Sequence, residues 1–108
     1  MAERRRGRAV PVVLDDTAMF GIREVCQVCG VHAERVVEVV EHGLVEVPGT
    51  GPHEWRFSSS SVFRIRRAIN LCDDLGMNLA GASLAVELLE ELDRLQSEVT
   101  RLSRITRR

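Results

Sequence analysis

The sequence predicts a mainly α fold: a winged helix-turn-helix domain with a small β wing and a long C-terminal dimerisation helix. Three observations carry that prediction. Two short amphipathic segments meet at a glycine turn, a turn-rich stretch separates two short β candidates, and residues 78–108 hold an apolar heptad with no proline.

The organisation expected is a disordered basic arm over residues 1–8, a winged helix-turn-helix domain over 9–77 and a C-terminal coiled-coil helix over 78–108. The arm carries Arg4, Arg5, Arg6 and Arg8 and has no periodicity. Residues 9–14 read as a short β segment at a sheet edge, because Pro11 cannot donate to a ladder. Ile22, Val25, Cys26 and Cys29 recur at i, i+3, i+4 and i+7 and make a first amphipathic helix, which Gly30 ends.

A second helix is expected over residues 32–42, burying Ala33, Val36, Val37 and Val40 and stopping at Gly43. Residues 44–47 and 54–57 are the β candidates, joined through Pro48-Gly49-Thr50-Gly51-Pro52 as a wing hairpin, with Trp55 packing the wing on the domain. The serines at 58–61 supply N-cap hydroxyls for a third helix with an inward stripe of Val62, Ile65, Ala68, Ile69, Cys72 and Leu75. Gly76 ends it and Asn78 caps a fourth helix.

Along the fourth helix Ala85, Leu88, Leu92, Leu95, Val99 and Leu102 alternate spacings of three and four. Such a seam needs a partner, so Leu88, Leu92, Leu95, Val99 and Leu102 are expected to make a homodimer. The alternative is a helix folded back on its own domain.

Composition narrows the function. The chain of 108 residues is 44% hydrophobic and 29% charged, values of one small globular domain rather than of a disordered chain or a multidomain enzyme. Its aromatics are Phe20, Trp55, Phe57 and Phe63, so the core is aliphatic. Fifteen arginines, with no lysine, face 16 acids for a net charge of −1, without the basic surplus of a chain that binds by neutralising phosphates.

No stretch reaches the roughly 18 to 20 apolar residues of a membrane span, nor does the N-terminus read as an export signal. Three cysteines without such a signal read as reduced cytoplasmic thiols. The Cys26-Gln27-Val28-Cys29 pair, with His32 beyond it, lacks the second pair of a structural zinc site. No Ser/His/Asp set, phosphate-cradling loop or paired carboxylates in a cleft appear, so no enzyme activity, cofactor or metal is expected.

The order of elements resembles the MerR superfamily. Phe20-Gly21-Ile22-Arg23-Glu24-Val25-Cys26, Gly30-Val31, His42-Gly43-Leu44-Val45-Glu46 and Asp74-Leu75-Gly76-Met77-Asn78-Leu79 carry the resemblance, over about residues 18–106. Within it the chain is similar to the chaperone-modulator family CbpM, through Glu54-Trp55-Arg56-Phe57, Arg64-Ile65-Arg66-Arg67-Ala68, Asn78-Leu79-Ala80-Gly81-Ala82 and Leu88-Leu89-Glu90-Glu91-Leu92. That resemblance implies binding to the J domain of a DnaJ-like co-chaperone of the CbpA type and inhibition of its work with Hsp70. The HspR repressor branch, which binds DNA, shares the Asn78-Leu79-Ala80-Gly81 string.

The second helix bears on the choice. Glu34, Glu38 and Glu41 fall on one face at i, i+4 and i+7, flanked by Arg35 and His42, and three carboxylates would meet phosphate. Val37-Glu38-Val39-Val40 stands where DNA-binding MerR proteins typically carry Arg-Tyr-Tyr-Glu. The partner-binding residues expected are therefore Glu34, Glu38, Glu41, Arg35 and His42, docking a basic protein surface such as the Lys/Arg-rich second helix that the resemblance implies for the J domain. The bland reading of the same residues is a solvated helix face.

Glu87, Glu90, Glu91, Asp93 and Glu98 form a second acidic stretch, ranked behind the first. Arg64, Arg66 and Arg67 are expected to pair with acids such as Asp73 and Asp74 on the same helix. The runner-up reading is a transcription regulator in which the N-terminal arm and residues 64–67 bind operator DNA. A third reading, a small-molecule or metal sensor of MerR type, finds no effector ligands in the sequence.

Overall fold

The structure is a computed structural model describing residues 18–106. The basic arm of residues 1–8 and the β-like segment at 9–14 lie outside the described residues. The elements are β1 (Met19–Phe20), α1 (Ile22–Cys29), α2 (Ala33–Glu41), a 3₁₀ turn (Pro52–Glu54), β2 (Phe57–Ser58), α3 (Ser59–Leu75) and α4 (Leu79–Thr106).

Each helix begins and ends for a local reason. The Glu24 carboxylate accepts the Gly21 N–H at 2.8 Å and places a negative charge in the first turn of α1, where the helix dipole favours it. Gly30, at φ 70°, closes α1 in the left-handed conformation, and three residues later α2 starts. Ser58 Oγ accepts the Ser61 N–H at 3.2 Å to cap α3, and Asn78 Oδ1 accepts the Gly81 N–H at 2.7 Å at the head of α4.

The core is aliphatic around one phenylalanine. Val25 of α1, Val36 and Val39 of α2, Phe57 of β2, Val62, Ile65 and Ile69 of α3 and Val86 of α4 are all buried. Trp55, half-buried, sets its ring on Phe57 in a T-shaped pair with centroids 6.2 Å apart. α2 turns a slightly different face inward than its spacing predicts. Val36 and Val39 are buried, Val37 and Val40 are half-buried, and Ala33 at the first turn is exposed.

The inward stripe of α3 holds from Val62 to Ile69, but Leu75, in its last turn, is exposed. α4 packs on α3 through Ala82 and Val86, and every residue from 91 to 106 is exposed. At 1.5 Å per residue the 28-residue helix spans about 42 Å, too long to be covered by so small a domain.

The small β element sits elsewhere than the expected hairpin. β2 pairs antiparallel with β1, Met19 opposite Ser58 and Phe20 opposite Phe57, and residues 44–47 form no strand. Leu44 and Val45 are adjacent and both buried, which a half-buried strand with alternating faces cannot achieve. Pro52 opens a 3₁₀ turn where the second β candidate begins, so the strand starts only at Phe57. The loop closes on itself: Thr50 Oγ1 donates to the Glu54 carboxylate at 2.8 Å. Gly49, at φ 118°, passes so near the Glu54 backbone that a Cβ there would sit at 3.0 Å.

Candidate functional site

The glycine turn between α1 and α2 points the outer face of α2 away from the core. Glu34, Glu38 and Glu41 are exposed there within an arc of about 60° at 100° per residue. Among the described residues, none of the three has an ion-pair partner. Their field is therefore offered to solvent. An open groove runs between the end of α1 and α2, with Cys26 and Val31 as its apolar part and Glu34, Glu38 and Asp73 as its acidic part.

The flanking residues behave differently. Arg35 turns back from the carboxylates and donates to Asp73 Oδ1 at 2.9 Å, tying α2 to the end of α3. That hydrogen bond holds the guanidinium's proton more tightly than usual, against a smaller opposing effect of burial. His42 follows the last residue of α2, its Nδ1 lying 3.2 Å from the Glu38 carbonyl. Asp73 is the groove residue that sequence reasoning assigned elsewhere. A contact across 38 positions leaves no trace in helical periodicity.

Two arginines of α3, Arg64 and Arg67, reach across to α4 rather than along their own helix. Arg64 Nε donates to Glu90 at 2.8 Å, and the same guanidinium also donates to the Leu44 carbonyl. Arg67 faces Asp93 at 3.7 Å. The expected same-helix pairing for Arg64 and Arg67 is thus replaced, because α3 and α4 pack together and present acids within reach.

The second acidic stretch is largely neutralised by these and neighbouring cations. Arg94 pairs with Glu91 and lies 3.9 Å from Glu98, which also faces Arg101 at 3.6 Å. The face of α2, by contrast, presents three carboxylates with no ion-pair partner among the described residues.

Leu88, Leu92, Leu95, Val99 and Leu102 line one side of α4 and are 42–65% exposed, with Ile105 continuing the row. Burial pushes the Cys29 thiol up to about 12, the Arg66 charge opposing it only in part, and it also raises Cys26. Both thiols are held protonated at neutral pH, the opposite of what a metal ligand or redox nucleophile needs. Among the described residues no group of three His, Cys, Asp or Glu is placed to hold a metal ion, and no helix is long and apolar enough to cross a membrane.

Comparison with known proteins adds a family to this geometry. The family model described as MerR HTH family regulatory protein matches residues 20–104. The chaperone modulatory protein CbpM of Pseudomonas entomophila strain L48 is 43% identical over 77 residues, 71% of this chain and 76% of that protein. The protein of the same name from Pseudomonas putida strain W619 matches with the same identity and coverage. That of Coxiella burnetii strain Dugway 5J108-111 is 28% identical over 93 residues, 86% of this chain and 88% of the relative.

Proposed function

The chain belongs to the CbpM family of chaperone modulatory proteins, on a MerR-type helix-turn-helix fold, and from that premise we propose that it inhibits a DnaJ-like co-chaperone of the CbpA type by occupying its J domain. The observation that carries the reading is the uncompensated row Glu34, Glu38 and Glu41 on the helix that a DNA-binding relative would lay in the major groove. Carboxylates there repel a polyanion and attract a lysine- and arginine-rich helix. Val31 and Cys26 beside them supply apolar contact area that a charged face alone lacks.

Inhibition on this reading is competition. A J domain held on the α2 face is withdrawn from Hsp70 in proportion to the concentration of free modulator, without turnover or cofactor. The reading places the protein in the cytoplasm, where its partner works.

The same reading takes the chain as a homodimer. Residues 91–106 are helical yet wholly exposed, and a helix of that length is marginal in water without packing. A second copy laid on Leu88, Leu92, Leu95, Val99 and Leu102 supplies that packing. The experiment is titration of an isolated J domain into the full chain by calorimetry. Glu34→Arg with Glu38→Arg should weaken binding at least tenfold while the circular dichroism spectrum and sedimentation stay as in the parent. Unchanged affinity would remove the α2 face from the interface, and salt-sensitive, sequence-selective duplex binding through the same helix would replace the reading with a DNA regulator.

A further inference from the structure

Residues 1–8 hold four arginines, Arg4, Arg5, Arg6 and Arg8, and one acid, Glu3, while the outer face of α2 turns three carboxylates to solvent. We propose that this basic segment docks on the α2 face of its own chain, its arginines against Glu34, Glu38 and Glu41, and that a basic partner must displace it. The contact stands on charge and reach alone; its consequence for a J domain rests on the reading given under the preceding heading.

Reach permits the contact. Residues 9–17, which lead from the basic segment to the first described residue, extend to about 30 Å at most. The helix α1, which leads from the strand pair to the groove beside α2, is only about 12 Å long. The two charged rows also match in length. Glu34 to Glu41 covers about 10 Å along the helix axis, and Arg4 to Arg8 covers about 13 Å of extended chain.

Pairing elsewhere selects this surface over the acidic stretch of α4. There Glu90 is held by Arg64, Asp93 faces Arg67, and Glu91 and Glu98 face Arg94 and Arg101, so an incoming arginine would have to break a pair already made. Glu34, Glu38 and Glu41 have no ion-pair partner among the described residues, and Arg35 on the same helix is committed to Asp73 at 2.9 Å. The adjoining groove of about 1160 Å³ is open and leaves room for long side chains.

A solvated Arg–Glu pair contributes little by itself, but the short tether holds the segment at an effective concentration on the order of millimolar. The result is a weak internal competitor. It lowers the apparent affinity of a basic partner by the fraction of chains whose α2 face is occupied, and added salt releases it.

The test compares amide shifts of the isotope-labelled full chain with those of the quadruple variant Arg4→Gln, Arg5→Gln, Arg6→Gln and Arg8→Gln. At low salt the substitutions should move amides of residues 31–42 while the core amides of Val25, Ile65 and Val86 stay in place. At about 1 M salt, where the Debye length is about 3 Å, the two spectra should coincide over residues 31–42. The same four substitutions made on top of Glu34→Gln with Glu38→Gln should leave those amides nearly unmoved. An isolated J domain, titrated by calorimetry at low salt, should bind the quadruple variant about two- to fivefold more tightly than the parent. Amides of α2 that ignore the arginine substitutions would overturn the proposal whatever the J domain does, as would shifts at residues 87–98 instead. Weaker J-domain binding by the quadruple variant would also overturn it, since the arginines would then be partner contacts rather than competitors. Responsive α2 amides with an unchanged J-domain affinity would uphold the internal contact and move the J domain to another surface, so the two readings fail separately.

Discussion

Arg35 and Asp73 stand 38 positions apart in sequence, yet the guanidinium of the one donates to the carboxylate of the other at 2.9 Å and joins the second helix of the helix-turn-helix to the end of α3. The bond removes Arg35 from the carboxylate row beside it, so α2 presents Glu34, Glu38 and Glu41 to a partner without a counter-charge among the described residues. Replacing Asp73 by Asn should cost at most about 1 kcal/mol, because the pair is partly solvated. A drop of no more than about 8 °C in melting temperature is the check. Arg35, released, should swing toward Glu34 or Glu38 and slow association with a basic partner.

Phe57 and Trp55 separate burial from mere contact. Phe57, the first residue of β2, is fully buried in the core, so Phe57→Ala should cost about 3 to 5 kcal/mol. Trp55 is half-buried and retains its edge-on contact with Phe57, so Trp55→Ala should cost about 1 to 3 kcal/mol. Urea titrations of the two variants should give that order. The reverse order would mean that the loop before β2, rather than the strand, anchors this side of the core.

What could be read from the sequence was whatever is encoded within a turn or two of chain. Ser58, Gly76 and Asn78 mark the ends of α3 and α4 by their own capping chemistry, and Val62, Ile65, Ala68 and Ile69 mark the inner face of α3 by spacing. Two-residue strands carry no alternation to detect, so the pairing of Met19 with Ser58 and Phe20 with Phe57 was invisible, and a hairpin at 44–47 and 54–57 was expected in its place. The acidic row of α2 was legible because i, i+4, i+7 spacing is local. The groove was not, since Asp73 and Cys26 arrive from other helices. The ion pairs between α3 and α4 escaped for the same reason: Arg64 and Arg67 meet Glu90 and Asp93 only after the two helices pack.

Cys29 gives the fold a pH limit. Its thiol is pushed by burial from an ordinary value of 9.0 to about 12. The unfolded chain therefore releases this proton from about pH 9 upward while the folded chain keeps it, and the stabilising contribution, complete below pH 9, is lost as pH rises toward 12. Denaturant midpoints should fall across that window. The fall should be shallower in Cys29→Val, with Cys26, also raised by burial, supplying part of the slope that remains.

Leu92 and Leu95 test the dimer. Both lie exposed on the row along α4, away from the core residues Ala82 and Val86. Leu92→Asp or Leu95→Asp should shift sedimentation from dimer to monomer and lower the helical signal, because the helix beyond residue 91 has nothing else to pack on. Since neither side chain contributes to the monomer's core, the near-ultraviolet signal of Trp55 should survive. A variant that still sediments as a dimer would place the interface off this row.

The α2 face should announce itself in rates before affinities. If Glu34, Glu38 and Glu41 steer a basic J-domain helix, the association rate constant of the parent falls as salt shortens the Debye length from about 30 Å at 0.01 M to about 8 Å at 0.15 M. Glu34→Gln with Glu38→Gln removes two of the three charges while keeping size and hydrogen bonding. The double variant should associate several-fold more slowly at low salt and show a flatter salt dependence, with dissociation changed much less. Stopped-flow mixing with a labelled J domain reads both constants. If the loss appeared only in dissociation, with the salt slope intact, these carboxylates would be buried contact residues rather than steering charges, and the long-range attraction would belong to another acidic surface of the chain.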